Sequence, residues 1–134
     1  MILLDTHAAV WLATEDPKLG AQSRRQAEEA SRNDDLLVSA ISFWEIALLT
    51  AKNRLQTGAT PMELRTLLLE SGVREFPLAG DIAVLSVALD GLHADPADRF
   101  IVATAIAHDA MLVTADDALL RWRHTALRRQ DARK

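Results

Sequence analysis

Apolar residues follow two rhythms along this chain: short unbroken runs, and stretches with apolar positions three and four apart. Ile2-Leu-Leu4, Leu36-Leu-Val38 and Met111-Leu-Val-Thr114 are runs of the first kind, as strands buried on both faces require. Val73 to Leu78 reads as another strand, and Pro77 inside it predicts a place at a sheet edge. A last strand is expected near Thr125–Leu127.

Helical spacing fills the intervals. A first helix is expected over His7–Ala13, and a charged, alanine-rich one over Ala21–Arg32. Ile41 to Lys52 reads as a helix with Ile41, Trp44, Leu48 and Ala51 on one face and Glu45 at its edge. Thr60-Pro-Met-Glu63 is a capping box opening a helix that runs to Ser71 and stops at Gly72. Another spans about Asp81 to Leu89. Asp95 as N-cap, Pro96 in the first turn and Asp98 three residues after the cap open a helix with Ile101, Ala105 and His108 on its apolar face. A short helix starts at Asp117. Strands separated by helices imply a parallel sheet covered on both faces.

That topology turns spacing into chemistry, because ligands of such sheets bind beyond the carboxyl ends of the strands, where strand order reverses. Asp5 ends the first strand and Asp116 lies just past the fourth. Glu45 belongs to the helix leaving the second strand, and Asp98 to the helix preceding the fourth. Two carboxylates about 5 Å apart repel by roughly 3 kcal/mol at an effective dielectric of about 20. Four of them together call for a retained proton or a cation. Oxygen ligands without cysteine favour a hard ion, Mg2+ or Mn2+, over zinc.

Each residue also has a plainer role to fill. Asp98 can be the third residue of a capping motif whose cap is Asp95. Asp116 competes with Asp117, one to cap the short helix and the other to face the metal, and the spacing after Thr114 favours Asp116 for the metal. His7 reads as structural. Trp11, Phe43 and Trp44 read as core or partner surface rather than base-stacking platforms.

Composition narrows the classes. The 134 residues are expected to form one domain, 49% hydrophobic and 25% charged, with no cysteine and hence no disulfide or thiolate metal site. No apolar run reaches the length of a membrane span and no secretory signal is visible, so a cytoplasmic protein is expected. The net charge of −4 hides a basic C-terminal segment, about 121–134, in which Arg121, Arg123, Arg128, Arg129, Arg133 and Lys134 face a single acid, Asp131. This tail suits either a phosphate backbone or a solvated, partly disordered end. A receiver-type signalling domain needs a lysine after a late strand, and the lysines are Lys18, Lys52 and Lys134. A haloacid-dehalogenase-like phosphatase needs a second acid where His7 stands. The glycines form neither a dinucleotide fingerprint nor a phosphate-binding loop.

Four blocks occur in register: Asp5-Thr-His-Ala-Ala-Val-Trp11, Val38-Ser-Ala-Ile-Ser-Phe-Trp-Glu-Ile46, Asp95-Pro-Ala-Asp-Arg99 and Leu112-Val-Thr-Ala-Asp116. Together they closely resemble the PIN-domain ribonuclease toxins of the VapC type, over essentially the whole chain. The resemblance implies a three-layer α/β/α Rossmann-like fold with a central parallel sheet. It also implies an endoribonuclease that uses Mg2+ or Mn2+, cuts RNA, pairs with a cognate VapB-type antitoxin and forms a homodimer. The family's acidic site maps onto Asp5, Glu45, Asp98 and Asp116, as catalytic and metal residues alike, and Thr6 and Thr114 fall where the family often has hydroxyls. An antitoxin arginine is expected to reach the carboxylates. The rival is a non-catalytic PIN-like protein-binding module, whose mark would be an acid lost from the quartet; none is lost here.

Overall fold

The computed structural model describes residues 1–93 and 95–134. Five strands form one parallel sheet: β1 (Ile2–Leu4), β2 (Leu36–Ser39), β3 (Arg74–Phe76), β4 (Met111–Thr114) and β5 (Arg128–Asp131), in the order β3-β2-β1-β4-β5. The helices among the described residues are α1 (Thr6–Ala13), α2 (Ala21–Arg32), α3 (Ala40–Ala51), α4 (Pro61–Glu70), α5 (Gly80–Val87), α6 (Pro96–Ala107) and α7 (Asp117–Arg121). The chain builds outward from β1 to β3, then crosses back to place β4 on the other side of β1. Strand order therefore reverses between β1 and β4, and a crevice opens past their carboxyl ends.

The side-chain period of two divides each strand between two cores. Leu3, Leu37 and Leu112 face Ile82, Ile101 and Val102 of α5 and α6. Leu4, Leu36, Val38 and Val113 face Ala8 and Ala9 of α1, Ala27 and Ala30 of α2, and Leu68 of α4. The small residues of α1 and α2 let these helices lie close on the sheet. The result is the three-layer α/β/α arrangement expected, with each fully buried leucine contributing about 1.5–3 kcal/mol of apolar transfer.

Three expectations change. On α3 the buried residues are Ser42 and Ile46, while Trp44 and Ala51 are exposed. The helix lies in a seam, touching α1, α4 and α6 rather than one flat layer, so a single-stripe pattern misassigns its face. Ile46 packs with Val10 and Leu64 there. On α6, Ile101 and Ala105 are buried, but His108 is the exposed C-cap, its ring edge-on to Phe76 at 4.5 Å. The last strand is Arg128–Asp131, not Thr125–Leu127. It is a polar edge strand whose order comes from pairing with β4 and from Arg129, which donates to the carbonyls of Leu119 and Trp122. The basic tail is thus ordered rather than loose. Elsewhere the elements stand within a few residues of expectation: β3 is an edge strand ending before Pro77, and Thr60 and Glu63 close the capping box.

One side chain fastens the approach to α6. Arg99 donates from Nε to the His93 carbonyl at 3.0 Å, from Nη1 to Ser86 at 2.8 Å and from Nη2 to Leu92 at 2.7 Å. The three nitrogens of the fork serve one backbone carbonyl of α5 and two of the segment between α5 and α6, which fixes the loop that carries His93. A lysine cannot reach three carbonyls from one point. Arg99→Lys is expected to lower stability by about 1–3 kcal/mol, the cost of leaving a buried acceptor unmet. Denaturant melts measure this, and an unchanged midpoint would contradict the role given to the fork.

Candidate functional site

Past the carboxyl ends of β1 and β4 lies a cavity of about 480 Å3, and Asp5, Glu45, Asp98 and Asp116 all line it. A larger cavity of about 650 Å3, between α1, α2 and α4, contains none of these four acids. The four sequence-predicted site residues meet in one place because four different elements end or begin there.

Asp5 follows β1 and caps α1. Its Oδ1 accepts from the Ala8 amide at 2.8 Å, and its Oδ2 accepts from the Thr114 hydroxyl. The same Thr114 oxygen accepts from the Asp116 amide at 3.0 Å, so one buried hydroxyl ties the end of β1 to the end of β4. Thr6 donates to the Ser42 hydroxyl at 3.2 Å, fastening α1 to the first turn of α3, one turn before Glu45. The two threonines serve as struts. Burial pushes the Asp5 carboxyl above its ordinary pKa; the Thr114 and Ala8 hydrogen bonds and the nearby His7 act against this, and Glu45 adds to it.

Asp98 sits in the first turn of α6. Its amide donates to Oδ1 of Asp95, the N-cap, at 3.2 Å, and its own Oδ2 meets Nε2 of His93 at 2.7 Å. Its pKa is pushed up to about 6, first by burial and then by the negative charges of Asp95, Asp116 and Glu45, with the His93 contact opposing. Asp116 caps α7 through Oδ1, which accepts from Ala118 at 2.8 Å and Leu119 at 3.3 Å. It is both a helix cap and a cavity residue. Asp117 instead pairs with Arg133 at 2.9 Å and stands outside the cavity lining.

Among the described residues, two groups place ligand atoms within 4.8 Å of one another: Glu45–Asp95–Asp98 and His93–Asp98–Asp116. Asp98 belongs to both. The donors are carboxylate oxygens with a single imidazole, a set that suits a hard divalent cation. Asp5 is in neither group, and each of its oxygens already accepts one bond, though a carboxylate has about four acceptor positions and retains capacity.

The structure adds three residues to the site. His93 lies just before the Asp95 cap, and a histidine so near the first turn of a helix bearing a buried acid is a signal that pattern reading passes over. Arg133 lines the cavity because β5 ends later than expected. His7, read from the sequence as structural, is exposed and lines the same cavity, 6.4 Å from the half-buried Trp11 ring. Phe43 is half-buried beneath the Arg65 guanidinium, and Trp44 is 52% exposed.

A family model, PIN domain, matches residues 2–124. Ribonuclease VapC22 of Mycobacterium tuberculosis (strain ATCC 25618 / H37Rv) is 39% identical over 124 residues, 92% of this chain and 92% of the relative. Among solved structures, VapBC2 from Rickettsia felis bound to a DNA fragment from their promoter aligns with a TM-score of 0.68 at 20% identity, covering 97% of this chain and 98% of that chain. A toxin-antitoxin complex from Klebsiella pneumoniae aligns with a TM-score of 0.61 at 24% identity, covering 96% of this chain and 99% of that chain. These structural likenesses establish the fold.

The two aspartates of α6 are separable by experiment. Unfolded, Asp98 ionises near 3.8; folded, near 6. Its ionisation therefore removes stability as pH rises through that interval, and the loss is complete above it. In metal-free protein, Asp98→Asn is expected to melt higher than the parent chain at neutral pH, with the gain vanishing below about pH 4. Asp95→Ala should cost about 0.5–2 kcal/mol, and Asp95→Asn far less, because the amide oxygen still caps. Melting curves across this pH range decide it; an Asp98→Asn variant less stable at neutral pH would contradict the cost of burying this charge among other acids.

Proposed function

Because the chain belongs to the PIN-domain family, we propose that it is a metal-dependent endoribonuclease toxin, cutting RNA phosphodiester bonds and held in check by a cognate VapB-type antitoxin. One observation carries the reading: Asp5, Glu45, Asp98 and Asp116 meet at the switch point of a parallel sheet, and one of them has its pKa pushed up to about 6. Acids so crowded repel an RNA phosphate unless a cation is present.

Glu45, Asp98 and Asp116, with Asp5 held in place by Thr114, would bind Mg2+ or Mn2+. His93 fixes the orientation of Asp98, and Asp95 stands close enough to join the set. A divalent ion bound there supplies charge neutralisation for the phosphoryl group and an attacking water of lowered pKa. The chain's own part is positional: struts and caps hold the carboxylates before the ion arrives, so little is reorganised on binding.

Ribonuclease VapC22, 39% identical, supports RNA as the substrate, and the toxin-antitoxin and VapBC complexes among the structural matches support a protein partner of that kind. An antitoxin segment crossing Trp11 would bring an arginine to the carboxylates, where a guanidinium fork matches them. Leu78, Val84 and Val87 on and beside α5 are exposed, the two valines at 75% and 81%, which supports an apolar contact with a second copy in a homodimer. No helix of the described residues is long and apolar enough to cross a membrane; the proposed place of action is the cytoplasm.

RNA cleavage should disappear in excess EDTA and return with Mg2+ or Mn2+; cleavage persisting unchanged in chelator would overturn the metal's part. Co-expression with the product of an adjacent reading frame should yield a complex that no longer cuts RNA. Two separate, non-interacting proteins on a sizing column would remove the antitoxin from the proposal.

A further inference from the structure

We propose that Arg133 is a phosphate-positioning residue of this site, docking the RNA strand through the free edge of its guanidinium; this rests on the endoribonuclease reading above. Arg133 lines the carboxylate cavity and, with His7, is one of two basic residues among the described ones that do so. An arginine beside so many acids would ordinarily turn onto them. Among the described residues, no ion pair joins Arg133 to Asp5, Glu45, Asp95, Asp98 or Asp116.

Two other carboxylates hold it back. Nε donates to Asp131 Oδ1 and Nη2 to Asp131 Oδ2, each at 2.9 Å, and Nη2 also donates to Asp117 Oδ1 at 2.9 Å. Three of the five N–H groups are used. The two on Nη1 have no partner among the described residues, and a fork so fixed offers them at little entropic cost. The cavity acids remain available to a cation while a cationic donor stands beside them.

The backbone under Arg133 is equally constrained. Asp131 is in register with Thr114, the strut between Asp5 and Asp116, so Arg133 follows two residues past the level of the site. Beyond β5 the chain runs against the start of α2: the Gly20 amide donates to the Ala132 carbonyl at 2.8 Å, and the Ser23 amide donates to the Lys134 carbonyl at 2.8 Å. A Cβ on Gly20 would lie 2.2 Å from the Lys134 carbonyl carbon, so glycine is needed for this close approach. Ser23 Oγ donates to the Asp131 carbonyl as well, at 3.1 Å. A solvated surface arginine has no use for such anchoring; a residue that must meet one phosphate does.

The test uses the intact chain and a fluorescein-labelled oligoribonucleotide spanning a site that the parent protein cuts in total bacterial RNA. KM and kcat are measured over a range of salt in the activating divalent ion. Arg133→Gln is expected to raise KM roughly tenfold with kcat nearly unchanged, as for a lost charge-assisted hydrogen bond. The dependence of log(1/KM) on log[salt] should also become shallower by about 0.7, the share of one single-strand phosphate contact. Arg133→Lys should keep the salt slope but recover only part of the affinity. If Arg133→Gln lowers the melting temperature and leaves KM and the slope alone, the residue is only a clasp for the C-terminal strand and the inference falls. Should the glutamine variant not fold, Arg133→Lys decides, and an unchanged KM there overturns it. A parent chain that cuts no RNA defeats the endoribonuclease reading itself, whereas a cutting parent with an indifferent Arg133→Gln defeats this inference alone.

Discussion

The burial of carboxylates beside one another is the constraint around which this molecule is arranged. A parallel sheet ordered β3-β2-β1-β4-β5 brings the carboxyl ends of β1 and β4 side by side, and an acid follows each. Asp5 is buried to within 6% of full cover, and an uncompensated charge there would cost several kcal/mol. Compensation comes from fixed donors: the Ala8 amide and the Thr114 hydroxyl for Asp5, two amides for Asp116, and the His93 ring for Asp98.

Helix starts share this work. Asp5, Asp95 and Asp116 are the N-caps of α1, α6 and α7, so three helices begin at the cavity and turn their unpaired amides toward its acids. Such ends carry partial positive charge and favour nearby anions. Asp98 lies in the first turn of α6, three residues past the cap, and holds no cap position itself; burial and the neighbouring acids push its pKa up to about 6. Burial raises the carboxyls of both Asp5, a helix cap, and Asp98, so a cation has most to gain at these two acids.

Much of this arrangement was legible in the chain. The apolar runs of β1, β2 and β4 are continuous because both faces are covered, and the acids after β1 and β4 stand out against them. Asp95, Pro96 and the Thr60 capping box announce their helices through local hydrogen bonding, which sequence expresses directly. β5 did not announce itself. Its residues Arg-Arg-Gln-Asp have no apolar period, and its order arises from β4 and from Arg129 reaching distant carbonyls. The stripe through Ile41, Trp44, Leu48 and Ala51 is not the buried face of α3, because that helix packs on several helices at once. His93 and Arg133 reach the site by a loop path and a strand register, which apolar periodicity does not express.

The most direct test of the account is the binding of Mn2+ itself, followed by calorimetric titration at neutral pH in the absence of RNA. The gathered carboxylates predict saturable binding by the parent chain, accompanied by a higher melting temperature. They also predict binding weakened by tenfold or more in Glu45→Gln and in Asp98→Asn, about the loss expected of a removed ligand or its support. A parent chain that takes up no Mn2+, or an Asp98→Asn variant that binds it as well as the parent, would contradict the claim that these acids are gathered to hold a cation.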